Sequence, residues 1–247
     1  MRIAMWSGPR NLSTAMMYAF AQRPDFAVWD EPFYAAYLAA SGIDHPMRDE
    51  VIAAGETDPA GVIARCLGPV PDGKEHFYQK HMTQHMLPEF PLEWLAEVTN
   101  VFLIRHPMRV VASYARKRQN PGADDLGFKR QFELFEAVRA MGQDPVVIDS
   151  ADIRADPEGM LGALLEAVGI PSDEWLPNAG PQIMLQWPAG GIPEDGVWAP
   201  HWYGAVQRST GFAGPEAPLP DLEGAAGELA DGAMGYYEAL SRSKLTL

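Results

Sequence analysis

Residues Ile3 to Thr14 run Ile-Ala-Met-Trp-Ser-Gly-Pro-Arg-Asn-Leu-Ser-Thr, and this order restricts the fold more than any other stretch of the chain. A short apolar run stops at Ser7-Gly8-Pro9. Apolar residues then recur at helical spacing as Leu12, Ala15, Met16, Ala19 and Phe20. The pattern predicts a buried strand, a tight turn and the N-terminus of a helix. Such a turn aims unpaired backbone N–H groups and the positive end of the helix dipole at one point, which suits an anion. Arg10, Asn11, Ser13 and Thr14 add side-chain donors, so a phosphate or sulfate cradle is expected over residues 9–14.

The same alternation continues along the chain. Arg2–Trp6, Phe26–Trp29, Phe77–Lys80, Val101–Ile104 and Val146–Ile148 read as short buried strands, each followed by polar or turn residues. Helical patterns lie between and after them, at 129–141, at 157–168 behind the capping pair Asp156-Pro157, and from Leu222 to Leu240. Strands alternating with helices predict an α/β fold, a largely parallel sheet covered on both faces. At 247 residues the chain suits a single domain, 1–247. Two stretches depart from the pattern. Residues 41–75 are acidic and hold two short helices at most, as a cap insertion would. Residues 171–220 form a long Pro-rich excursion, of the kind that usually serves as a lid or binding segment.

Composition narrows the function classes. Hydrophobic residues make up 47% and charged residues 21%, which is ordinary for a globular protein. One cysteine, Cys66, excludes an intrachain disulfide and a Cys-rich zinc site. No signal peptide or membrane-length apolar run is visible, so a cytoplasmic setting without membrane attachment is expected. The net charge is −14, from 19 Lys plus Arg against 33 Asp plus Glu. A chain this acidic is a poor partner for nucleic acid or for a polyanionic polymer. Against that background Arg105-His106, Arg109 and Arg116-Lys117-Arg118 form a concentrated positive patch, which points to a small anionic ligand.

In a parallel sheet, ligands bind beyond the carboxyl ends of the strands. The residues found there are Pro9–Thr14, Asp30-Glu31, Lys80-His81, Arg105-His106-Pro107 and Asp149 to Asp152. The ATP or GTP loop G-x-x-x-x-G-K-[ST], laid on Gly8, meets Ser13 in place of its second Gly and Thr14 in place of its Lys. The segment instead resembles the phosphosulfate-binding loop of sulfotransferases, commonly P-[KR]-S-G-[ST]-T. Pro9, Arg10, Ser13 and Thr14 match that loop; Asn11 and Leu12 replace its Ser-Gly. Val101-Phe-Leu-Ile-Arg105-His106-Pro107 resembles the 3′-phosphate motif of the same family, a strand ending R-x-P with a Ser eight residues after the Arg, here Ser113. Val146 to Leu161, with Val168-Gly169-Ile170, resembles a third, architectural stretch, in which Ser150-Ala151 replaces the usual Tyr-Glu. The resemblance covers roughly residues 1–35 and 77–170.

The resemblance implies a three-layer, P-loop sulfotransferase-like fold, with 3′-phosphoadenylyl sulfate as sulfuryl donor, a small-molecule acceptor and no metal. Pro9, Arg10, Asn11, Leu12, Ser13, Thr14, Arg105 and Ser113 would bind the donor. Arg10 would also stabilise charge on the leaving phosphate, being permanently cationic. Several branches of the family use a Glu after the second strand as base, which makes Glu31 the first candidate. Others place Lys-x-His after the third strand; here the order is Lys80-His81-Met82, then His85. Lys80 would contact the transferring group, and His81 or His85 would serve as an alternative base. His85, His201 and Trp202 are expected to line the acceptor pocket. Two other functions compete, a nucleotide-binding module without catalysis and a divergent P-loop kinase or NTPase. Glu31 and Lys80 separate the first from an enzyme, and the missing loop Lys counts against the second.

Overall fold

Every strand of the central sheet runs parallel to its neighbours, and β1 lies in the middle. In the computed structural model, residues 1–115, 121–170 and 180–247 are described. The strands are β1 (Arg2–Ser7), β2 (Phe26–Asp30), β3 (His76–Met82), β4 (Thr99–Ile104) and β5 (Val146–Asp149), in the order β2-β3-β1-β4-β5. Each expected strand is present, extended by one to three residues. The helices are α1 (Ser13–Ala21), α2 (Tyr34–Ser41), α3 (Arg48–Ala54), α4 (Pro59–Leu67), α5 (Pro107–Tyr114), α6 (Ala123–Leu126) and α7 (Phe128–Ala140). After them come α8 (Ser150–Ala155), α9 (Pro157–Ala167), α10 (Ala199–Trp202), α11 (Gly204–Gln207) and α12 (Gly224–Ser241).

Period-two alternation divides the strand side chains between two cores. Ile3, Met5, Tyr78, Leu103 and Ile148 pack with Met16, Phe20, Leu161 and Leu164 from α1 and α9. Ala4, Trp6, Phe102 and Val147 pack on the opposite face with Val62 of α4, Leu134, Phe135 and Val138 of α7, and Leu240 of α12. Three layers result, a sheet between two sets of helices. Local chemistry starts the helices where the sequence indicates. Asp58 and Asp156 accept from the N–H groups of Ala60 and Gly159, with Pro59 and Pro157 in the first turn.

The chain leaves β1 toward β2 and β3 on one side, then crosses to β4 and β5 on the other. The carboxyl ends of β1 and β4 therefore diverge at the switch point of the sheet, where a crevice forms. Two short helices do occupy 41–75. The loop before α3 brings His45 toward the crevice, whereas α4 packs Val62 and Cys66 into the core instead of capping the site. The Arg116-Lys117-Arg118 patch and residues 171–179 of the Pro-rich excursion lie outside the described residues.

Candidate active site

The loop joining β1 to α1 is held in a strained shape. Arg10 and Leu12 take φ values of 62° and 71°, a left-handed backbone that costs an L-residue roughly 1–2 kcal/mol. Leu12 stands where the sulfotransferase-like loop has Gly, so the residue departs from the pattern while the backbone keeps a conformation open to glycine. Asn11 Nδ2 donates to the Leu103 carbonyl at 3.1 Å and ties the loop to β4. Gly8 is required for a different reason. A Cβ there would lie 2.6 Å from the Leu126 carbonyl oxygen, so a larger residue would push α6 away.

Arg10 and Arg105, far apart in sequence, meet at the crevice. Arg105 Nη1 donates to the Arg10 carbonyl at 2.6 Å, and Arg10 Nε donates to Ser113 Oγ at 3.0 Å. Both arginines line one cavity of about 250 Å³ together with Pro9, Asn11, Leu12, Ser13 and Thr14. Ser113 sits behind Arg10 and outside the lining. The rest of the Arg105 guanidinium grips Glu216, with Nη2 at 2.5 Å and Nε at 3.0 Å from Oε1. Arg154 Nη1 reaches the same oxygen at 3.0 Å, and Arg109 Nε lies 2.6 Å from Oε2. The sequence singles out Arg109 as a member of the positive patch after β4, and it carries no signal for Arg154 or Glu216.

A second cluster lies at the ends of β2 and β3. Lys80 is only 1% exposed, and its ammonium donates to Asp30 Oδ1 at 2.8 Å, to Glu31 Oε1 at 2.6 Å and to Tyr203 Oη at 2.6 Å. An ammonium has three N–H groups, and all three are used. The structure places Lys80 at the cavity expected for the transferring group and adds a role the sequence did not indicate. Lys80 lines the cavity, but its donors are committed to holding two carboxylates together. Burial works to lower its pKa, and Asp30 with Glu31 outweighs burial, so the lysine stays charged. Burial raises the pKa of Asp30 above the usual carboxylate range, with Glu31 adding to it and Lys80 opposing. The Tyr203 hydroxyl lies 2.9 Å from both Asp30 Oδ2 and Glu31 Oε1, either of which can accept its one proton, and it accepts from Trp198 Nε1 at 2.9 Å. Glu31 carries a φ of 43° and faces the cavity. Strain at a non-glycine residue of this kind is typical of functional positions.

The histidines separate by strand geometry. Lys80 and His81 are consecutive in β3, so their side chains leave opposite faces of the sheet. His81 stacks on Trp6 with centroids 4.5 Å apart, its Nε2 3.2 Å from Gln79 Oε1, and it does not line the cavity. Burial, with His85 adding to it, lowers its pKa to about 3. The expectation that His81 acts as a base is corrected: it is a neutral core residue. His85 does line the cavity, sandwiched between Tyr34 and Tyr37 at 4.3 and 4.8 Å, with Nδ1 3.8 Å from Glu31 Oε2. Burial pushes its pKa well below the usual histidine value, assisted by His45 and Lys80. Trp202 lines the cavity as expected. His201 is exposed and outside it, a second correction, because neighbouring residues of the short helix α10 point in different directions. Tyr34, His45 and Tyr203 are among the further wall residues that were not singled out as site residues. Tyr203 ends the aromatic-rich run Trp198-Ala-Pro-His-Trp-Tyr203, a sequence signal that could have found it.

The family model for a sulfotransferase domain matches residues 1–244. The chain belongs to the sulfotransferase domain family. Among curated relatives, the branched-chain-amino-acid aminotransferase-like proteins 2 and 1 of Arabidopsis thaliana are 37% and 39% identical over 214 residues, 87% of this chain. The match takes up 36% and 37% of those proteins, so this sulfotransferase-family chain spans about a third of the length of the curated relatives it matches. Among solved structures, the sulfotransferase domain of the curacin biosynthetic pathway aligns at 16% identity and a TM-score of 0.47, over 94% of this chain and 97% of that one. The sulfotransferase domain of the Synechococcus PCC 7002 olefin synthase aligns at 15% identity and 0.48, over 94% and 93%. Among the described residues, no helix is long and apolar enough to cross a membrane.

Proposed function

We propose that this sulfotransferase-family chain transfers a sulfuryl group from 3′-phosphoadenylyl sulfate to a hydroxyl or amine of a small acceptor. One observation carries the reading. Arg10 and Arg105 adjoin one cavity at the switch point, and Glu31 lines the same cavity. The fit to a donor with two anionic ends rests on an internal stand-in, since Arg105 and two further arginines already enclose a carboxylate. Pro9–Thr14 and the N-terminus of α1 would hold the phosphosulfate, with Arg105 at the 3′-phosphate and Ser113 supporting Arg10 from behind. When bound, the donor supplies a sulfuryl group joined to phosphate through an anhydride oxygen. The S–O bond to phosphate breaks as a bond from sulfur to the acceptor oxygen or nitrogen forms. Glu31 takes the acceptor's proton, and Arg10 offsets charge gathering on the departing phosphate. Lys80, Asp30 and Tyr203 hold the Glu31 carboxylate at the cavity wall, and His85 with Trp202 gives that wall an aromatic surface for the acceptor.

Thermal shift with 3′,5′-adenosine bisphosphate, AMP and ATP tests the reading, because a ligand bound by the native state raises the melting point. The bisphosphate is expected to stabilise most, and Arg105→Ala to abolish its advantage over AMP. With labelled donor and a panel of small alcohols and amines, Glu31→Gln should lower turnover by about 10²–10⁴-fold and leave bisphosphate affinity intact. Magnesium-dependent ATP hydrolysis with no response to the bisphosphate would instead establish the NTPase alternative.

A further inference from the structure

Glu216 is carried by a thin segment. The six other residues of 213–219 are exposed, whereas the Glu216 carboxylate is 4% exposed. Two of the same arginines also hold the main chain beside it. Arg154 Nε donates to the Gly214 carbonyl at 2.8 Å, and Arg109 Nη2 to the Ala217 carbonyl at 2.5 Å. Side chain and backbone of the segment thus rest on one cationic cluster. That cluster is unbalanced. Among the described residues, Arg105, Arg109 and Arg154 pair with no carboxylate except Glu216. Three positive charges meet one negative charge, in a chain whose net charge is −14.

Such an excess suits a stronger anion than a carboxylate. A phosphate monoester carries a charge of about −1.5 to −2 and three acceptor oxygens, against −1 and two for Glu216. It also satisfies planar guanidinium forks in pairs. Arg105 belongs both to this cluster and to the cavity wall, so the two spaces adjoin.

We infer that Glu216 is a tethered occupant of the subsite for the nucleotide's second phosphate, with Arg109 and Arg154 as further phosphate ligands, and that segment 213–219 withdraws when a 3′-phosphorylated nucleotide enters. The inference rests on the nucleotide reading above and deepens it. Exchange of one carboxylate for one phosphate makes the second phosphate the group that opens the segment. AMP, lacking that group, leaves Glu216 in place. The seated segment lowers apparent affinity by the fraction of time the subsite is free.

Calorimetry with 3′,5′-adenosine bisphosphate and with AMP, on the full chain and on Glu216→Gln, tests this. Glu216→Gln should bind the bisphosphate about tenfold more tightly, with AMP affinity unchanged. Equal or weaker bisphosphate affinity in Glu216→Gln, or an equal gain for AMP, overturns the inference; if the unmodified chain still prefers the bisphosphate, the sulfotransferase reading stands. Failure of both chains to distinguish bisphosphate from AMP sinks the nucleotide reading and the inference with it. A label on Leu219→Cys provides a measurement that keeps Glu216. Leu219 is 47% exposed, whereas Cys66 is buried with its thiol pKa pushed up to about 12, so labelling is selective. Saturating bisphosphate should lower the anisotropy of the label and AMP should not; no response to the bisphosphate overturns the proposal.

Discussion

Two charged clusters stand at the carboxyl end of the sheet, and they are built in opposite ways. At β2 and β3, one lysine is buried between two carboxylates, all carried by strand ends and closed off by Tyr203. Past β4 and β5, three partly exposed arginines surround one carboxylate borne by an exposed segment. The first has an excess of negative charge and no free ammonium donor, which fits it to hold a proton acceptor and not an anionic group. The second has an excess of positive charge and a removable counter-ion, which fits it to an anion. The difference teaches that the balance of charge and the rigidity of the tether, more than the number of basic residues, separate a base site from a phosphate site.

Removing Lys80 strikes this comparison hardest. Lys80→Met leaves Asp30 and Glu31 facing each other in the interior, and loss of one partner from a buried ion pair costs about 3–5 kcal/mol. Urea unfolding at neutral pH should show that loss. The loss should shrink in acid, because a raised Asp30 pKa means the folded state keeps its proton longer than the unfolded chain, so stability falls as pH rises through that interval. An arginine-side variant with an equal cost would erase the distinction between the clusters.

Tyr203→Phe comes next. It leaves one ammonium N–H of Lys80 without an acceptor and should cost about 3 kcal/mol, read by the same unfolding experiment. If Phe is tolerated within a few tenths, Tyr203 is packing and not part of the network. Acid sensitivity should likewise belong to the buried half. The unfolded chain protonates His81 near pH 6.5 and the folded state near 3, so stability is present above that window and is lost as pH falls through it. At pH 5 the contribution amounts to about 2 kcal/mol, and His81→Gln should flatten the fall in stability between pH 7 and 5 by that amount.

The smallest effect is expected on the arginine side. Arg154 is partly exposed, and Arg154→Gln should cost less than about 1 kcal/mol, with the difference fading as salt is raised. Thermal melts at low and high ionic strength check this. A large, salt-independent loss would make the arginine cluster structural and weaken its assignment as an anion site.

Much of the framework was legible from residue order, because strands and caps depend on local patterns. The five apolar runs are strands, Asp156-Pro157 opens α9, and α12 begins within two residues of the expected Leu222. The loop over 9–14 lines the cavity for the same reason. Errors arose where a side chain's direction mattered. Lys80 and His81 look equally catalytic in sequence, and the alternation of β3 sends one to the cavity and the other into the core beside Trp6. Glu216 had no local signal, since an acidic residue in a Pro-rich stretch of an acidic chain stands out from nothing.

What residue order determined by itself is the set of strands and helices, the tight turn suited to an anion and the Arg105 strand end, all read from patterns within a few positions along the chain. Only the tertiary structure decided which charges pair. Lys80 with Asp30, Glu31 and Tyr203, and Glu216 with Arg105, Arg109 and Arg154, are joined across 49 to 123 positions. Coulomb attraction acts through space, and its strength here is set by burial that the sheet and the long C-terminal excursion create together.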